Sequence, residues 1–289
     1  MDYQTHTLKN SEIGFRGPKI ASLKKSEYFV CVGAAQTFGC FCEKPYPTLL
    51  QEKLQKPVLN FGVGGAGPSF FLLHDELLKY INNAKFVIVQ VMSGRSENNA
   101  LFNTLAGAGG ILTKNSDGSM TTADDAYHHL LESEFRKWHL PFRKTIGLLG
   151  QKKAKKIVAE SRSNWVNNYK KLLTEIKVPK ILFWFSKRKP DYKEKYTDVN
   201  KLFGEFPQLV NKQMVEQIKQ FSDKYVECIS YQGSPQLLSS RFTGKPITID
   251  NSKIHKIFTS KFTHNSYYPS PEMNEDAAKL LEPICQKFL

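Results

Sequence analysis

Cysteine is scarce. The 289 residues hold five (Cys31, Cys40, Cys42, Cys228 and Cys285), an odd number with no CxxC pair, which excludes a disulfide scaffold and fits a reducing cytoplasm. Long apolar runs are missing too: nothing approaches the roughly 18 consecutive apolar residues of a membrane span. The N-terminal stretch MDYQTHTLKNSEIG lacks the basic-then-apolar order of a secretory leader. No repeat with a period of about 20–50 residues occurs, which excludes a solenoid. HExxH and CxxC signatures are absent, and His128 and His129 are adjacent, so on a helix they point to different sides. Neither a metal nor a cofactor is expected. Acidic residues are the minority, 27 Asp+Glu against 41 Lys+Arg, for a net charge of +14. Such a chain expects anionic company. It lacks zinc-finger spacing, an RRM signature and a helix-turn-helix pattern, which argues against nucleic acid.

What is present is a globular composition, 40% hydrophobic and 12% aromatic. Apolar runs at 28–33, 57–61, 85–92, 180–186 and 225–230 read as buried strands. Helical spacing follows at 45–54 and at 69–81, where Leu72, Leu73, Leu77 and Leu78 share a side. In Arg162-Ser163-Asn164-Trp165 the arginine precedes an amphipathic helix that carries Trp165, Tyr169, Leu172, Leu173 and Ile176. The last helix, 271–288, has Ala277, Leu280, Leu281 and Ile284 as its stripe. The alternation predicts an α/β chain with one doubly wound, flavodoxin-like sheet of about five parallel strands flanked by helices. Residues 107–160 break the alternation after the third strand. Ile111–Thr122 reads as a hairpin around Asp117-Gly118, and Ala123–Trp138 reads as a helix with Asp124 and Asp125 at its start. That stretch is expected to be an insertion or lid over the carboxyl ends of the strands, within a single domain spanning 1–289.

Residues 62–67, Gly-Val-Gly-Gly-Ala-Gly, satisfy GxGxxG through Gly62, Gly64 and Gly67. A dinucleotide site also asks for an acid at the end of the next strand, where this chain reads Gln90-Val91-Met92-Ser93-Gly94-Arg95. Pro68 further removes one amide from the helix start. A tight turn that needs glycine for sterics is the simpler reading, with an anion or oxyanion site as its rival.

The segments GAAQTFG, NFGVGG, VMSGRS and NSYYPSP, each after a strand or before the last helix, resemble the motif series of the SGNH (GDSL-like) hydrolase superfamily. More narrowly, GAAQTFG, VMSGRSENN, SRFTGKP and YYPSPEM are similar to an uncharacterised bacterial family of SGNH-like proteins. The resemblance implies the doubly wound fold and puts the nucleophilic serine of the first motif at Ala35, which has no oxygen to attack with. It implies that the oxyanion-donating amide is Gly62 or Gly64, and it puts the third motif, Gly-x-Asn-Asp, on Met92-Ser93-Gly94-Arg95, without the side-chain donor. The fourth, Asp-x-x-His-Pro, falls on Asn265-Ser266-Tyr267-Tyr268-Pro269, where Asn265 carries no acid and Tyr268 makes a poor base. A serine esterase of the usual kind is therefore not expected.

The strand ends still surround a pocket. Its expected lining is Ala35, Gln36, Thr37, Gly62, Gly64, Gly65, Arg95, Asn98 and Asn99, with His264 and Tyr268 as the titratable members. Arg95 is the expected bidentate clamp for an anion, unless a structural ion pair occupies it. Arg241-Phe242-Thr243-Gly244-Lys245-Pro246 joins Arg241 and Lys245 in a turn, a second anion nest unless it is a solvated surface turn. Lys/Arg cluster at Arg143, Lys144, Lys152, Lys153, Lys155, Lys156 and Arg162, and again at Lys187-Arg188-Lys189. The leading expectation is a protein that binds or modifies an anionic, carbohydrate-derived small molecule without a Ser-His-Asp mechanism, such as an O-acyl or sulfuryl transferase. The alternatives are a non-catalytic binding module for a saccharide or protein, and an esterase with Ser93, Ser96, Cys40 or Cys42 as a shifted nucleophile and His264 as base.

Overall fold

β-Branched and aromatic residues dominate the runs that become strands, and they pack on both faces. The computed structural model describes residues 2–20, 22–104, 111–136, 151–250, 252 and 261–289, without the side chains of 133–136. Strands β1 (Phe29–Gly33), β2 (Val58–Gly62) and β3 (Val87–Gln90) come first. The short β4 (Phe102–Asn103), β5 (Ile111–Lys114) and β6 (Met120–Thr122) form a separate antiparallel sheet, and β7 (Lys180–Ser186) and β8 (Lys224–Ile229) return to the main one. The main sheet is parallel throughout in the order β2-β1-β3-β7-β8, the predicted doubly wound arrangement.

The period of two along each strand sorts its side chains. Val30, Val32, Val87, Val89, Leu182 and Trp184 face one layer, made by α3 (Pro68–Leu73), α4 (Asp75–Asn82), α6 (Lys152–Glu175) and α8 (Lys212–Lys219). Phe29, Cys31, Ile88, Ile181, Phe183 and Phe185 face the other, made by α2 (Tyr46–Leu54) and α9 (Pro271–Cys285). A third apolar cluster joins Leu112, α5 (Ala123–Arg136), the first turns of α6 and α7 (Val199–Phe203). Among the described residues no helix is long and apolar enough to cross a membrane.

Three helix expectations are corrected. The run 69–81 is two helices, broken at His74 with φ −113° and ψ 74°. A continuous helix would stack Leu73 over Leu77 on the apolar face; the break leaves Leu73 62% exposed while Leu77 and Ile81 reach the core. Helix α6 starts at Lys152, so Arg162 lies inside it, because Ala154, Ile157 and Val158 are buried in the third cluster. In α9 the buried stripe is Met273, Ala277, Ala278, Leu281 and Cys285, which leaves Leu280 exposed. The hairpin formed as expected, with β4 added as a third strand. Residues 107–110 and 137–150, including Trp138, Arg143 and Lys144, lie outside the described residues.

Helix α6 also fixes the end of β3. Tyr169 Oη donates to Gln90 O (2.7 Å) and accepts from Met92 N (2.7 Å), and Trp165 Nε1 donates to Met92 O (3.0 Å). The chain runs outward from β1 to β2 and then crosses to β3 on the other side of β1. The switch point therefore lies between β1 and β3, where an open α/β sheet leaves a crevice at its carboxyl edge.

Candidate functional site

A cavity of about 830 Å³ opens at that edge, within the range of about 300–1,000 Å³ usual for small-molecule sites. Gln36 enters from α1 (Ala35–Phe38), the helix after β1, and Arg95 from the segment after β3. Phe185, Ser186 and Lys187 come from the end of β7, Asp124 from α5, and Phe203, Glu205, Phe206 and Gln208 from α7 and its following loop. Tyr267, Tyr268 and Pro269 close the side before α9. The two-residue strands β9 (Gln236–Leu237) and β12 (His264–Asn265) pair with each other, as do β10 (Ile249–Asp250) and β11 (Lys261–Phe262). Ile249, Asp250 and Phe262 of the second ribbon add to the wall.

Gln36 is the most telling lining residue. It is 2% exposed, and neither Nε2 nor Oε1 has a partner among the described residues. An amide buried without partners costs about 1–3 kcal/mol for each group left unpaired. Gln208, also buried, donates from Nε2 to Tyr267 Oη (2.8 Å) and leaves Oε1 unpartnered. Arg95 donates to the same phenol oxygen (3.4 Å) and to Asp124 Oδ2 (2.6 Å), with Phe203 5.5 Å beneath the guanidinium. Tyr267 Oη thus accepts twice, and its own proton has no acceptor among the described residues.

The expected anion clamp is thus an internal ion pair: Asp124 occupies Arg95. Among the described lining residues the cations Arg95 and Lys187 face three carboxylates, Asp124, Glu205 and Asp250, so the described part of the wall is not the basic crevice expected from composition. The lysines of α6 (Lys152, Lys153, Lys155, Lys156) are exposed, and Arg162 is held by Glu194, Tyr192 and Leu209 O.

Most other expected lining residues serve the scaffold. Ala35 is buried at the start of α1, and Thr37 Oγ1 donates to Gln90 Oε1 (2.8 Å) and pairs with Tyr46 Oη. Gly62 meets the backbone of α1: an added Cβ would lie 2.1 Å from Phe38 N. Its amide, the expected oxyanion donor, is taken by Asn60 Oδ1 at 2.9 Å. Gly64 is exposed and Gly65 half-exposed in the turn that follows, and neither lines the cavity. Asn98 accepts from Thr104 N and Oγ1, while Asn99 is buried and binds Ser161, Tyr127 and the amides of Leu101 and Phe102. Arg241 and Lys245 stand on an exposed turn away from the cavity, with Arg241 over the ring of Phe242.

The acid–base candidates separate in the same way. His264 is exposed on β12, its Nδ1 3.0 Å from Thr263 Oγ1, and is not part of the cavity wall. Tyr268 does line it, and burial pushes its phenol further up, away from use as a base. Asn265 is buried and cannot be the missing acid. Its Oδ1 accepts from Tyr267 N and Tyr268 N, and its Nδ2 donates to Gln236 Oε1 and Tyr268 O, so it shapes the turn that presents both tyrosines. Burial pushes the thiols of Cys40 and Cys42 up to about 11, which removes the thiolate a nucleophile needs. Ser93 and Ser96 are buried.

Sequence reasoning missed Gln208, Tyr267, Asp124 and the phenylalanines of 203–206, which reach the cavity from distant segments. It named Lys187 only within a charge cluster, although its place directly after β7 is the strand-end signal that marks α/β sites. It also missed Arg16. This buried arginine donates to the carbonyls of Phe38, Gly39, Cys42 and Glu43, with Tyr3 4.9 Å from the guanidinium.

A family model described as "Domain of unknown function (DUF6473)" matches residues 1–105 and 143–288. No curated protein matches the sequence. A catalytic mutant of an acetylxylan esterase from Geobacillus stearothermophilus is similar at 12% identity over 92% of this chain and 95% of that chain, with a TM-score of 0.42. The lipase Lip_vut3 from goat rumen metagenome is similar at 13% identity over 88% and 98%, TM-score 0.40. A carbohydrate esterase with divergent catalytic and non-catalytic binding functions is similar at 11% over 94% and 69%, TM-score 0.40.

Proposed function

The chain belongs to the family described as Domain of unknown function (DUF6473), and from that premise we propose that its cavity binds a neutral saccharide, in an SGNH-like fold whose first-motif serine is replaced by Ala35. The unpartnered amide of Gln36 carries this reading. A buried primary amide offers two donors and an acceptor to one ligand, the pattern that vicinal hydroxyls return. Gln208 Oε1 adds an acceptor, the Tyr267 hydroxyl a donor, and the Arg95–Asp124 pair both kinds at fixed spacing. Phe41, Phe185, Phe203 and Phe206 supply apolar surface for the C–H faces of sugar rings. The excess of carboxylates over cations among the described lining residues favours a neutral ligand over the anionic one suggested by overall charge. The chain is read as one domain, with 107–160 as an insertion that lends Asp124 to the cavity.

Thermal shift and titration calorimetry with cellotetraose, chitotetraose, maltotetraose and tetragalacturonate test the reading. At least one neutral member is expected to raise the melting temperature, and Gln36→Leu to weaken it about tenfold or more, roughly 1.4 kcal/mol. Binding of tetragalacturonate alone would return the anionic reading, and no shift with any member would overturn the saccharide.

A further inference from the structure

Lys187 is the cavity-lining cation that meets no carboxylate within hydrogen-bond distance among the described residues. Its Nζ lies 2.5 Å from Ser234 Oγ and 2.6 Å from Ser266 O. Lys187 follows β7 and lines the cavity, while Ser234, half-exposed on the loop between β8 and β9 and outside the described lining, is brought beside its amine from a separate segment. We propose that Ser234 and Lys187 form a nucleophile–base dyad that removes an acyl group from a hydroxyl of the bound saccharide.

The arrangement suits that chemistry. An uncharged Nζ keeps an N–H for Ser266 O, which orients it, and turns its lone pair toward the Ser234 hydroxyl. Burial lowers the lysine's pKa and so favours the uncharged form; Glu205, which shares the cavity wall, works the other way. Serine with a lysine base is a known variant of the nucleophile–base pair. As Ser234 Oγ attacks the acyl carbon, its proton passes to Nζ and the carbonyl electron pair moves to oxygen. The intermediate collapses by breaking the bond to the sugar oxygen, which takes the proton from Nζ. Water then adds to the acyl carbon while giving its proton to Nζ. The bond to Oγ breaks, Oγ recovers the proton, and a carboxylic acid leaves.

The identity of the acylated group rests on the saccharide reading, but the dyad does not, and the test separates them. A fluorophosphonate probe, which carries no sugar, is applied to the full chain and located by peptide mass mapping. One probe per chain on Ser234 is expected. Lys187→Met and Lys187→Arg are each expected to slow labelling about a hundredfold or more, with folding checked by circular dichroism. No label on Ser234, or an undiminished rate in Lys187→Arg, which keeps the charge but not the base, overturns the dyad. Neither result bears on whether cellotetraose and the other sugars shift the melting temperature.

Discussion

At the scale of single residues, burial decides which charges matter. Glu97 is 0% exposed and has no cation beside it among the described residues; Asn168 Nδ2 (2.7 Å) and Ser69 Oγ (3.3 Å) donate to it. An added Cβ on Gly67 would lie 2.6 Å from its carboxylate, so the last glycine of the GxGxxG run makes room for an acid and not for a phosphate. Burial pushes the Glu97 carboxyl from 4.5 up to about 7. The folded state therefore holds a proton that the unfolded state has lost across that window. This contribution is fully present below about pH 4.5 and is lost as pH rises through about 7, on the order of 3 kcal/mol in all. Glu97→Gln is expected to flatten the decline in melting temperature between about pH 5 and about pH 8. A parallel decline in the variant would assign the pH dependence elsewhere.

At the scale of elements, the N-terminal segment acts as a clamp. Arg16 binds four carbonyls at the end of α1 and on the loop after it, and Phe41 on that loop and Gln36 on α1 both line the cavity. Lysine cannot span four acceptors with one ammonium. Arg16→Lys is expected to destabilise the fold by about 3 kcal/mol and to weaken saccharide binding, read by urea unfolding and by calorimetry. An unchanged midpoint would make the clamp energetically idle. The elements were also the most legible part of the chain. The five main strands announced themselves because strands buried on both faces must be continuously apolar. The break at His74 and the early start of α6 did not, because both depend on which neighbour covers a leucine or an isoleucine, and periodicity within one segment carries no record of that.

At the scale of the whole molecule, the net charge of +14 and the cavity point in different directions. Lys152, Lys153, Lys155 and Lys156 face solvent, while the described cavity lining carries more acids than bases. Binding of the neutral saccharide is accordingly expected to change less than about twofold between low salt and about 0.5 M salt, where charge attraction is screened. A steep loss of affinity would show that the outer charge takes part. The linear chain by itself determined the sheet, its two helical layers, the hairpin within 107–160 and the alanine at position 35, because local pattern and residue identity are enough for these. Tertiary structure alone decided that Asp124 occupies Arg95, that Tyr267 takes the Gln208 amide, and that Gln36 has no partner among the described residues. Each depends on an atom brought from a distant part of the chain, and hydrogen-bond partners at that separation leave no trace in spacing.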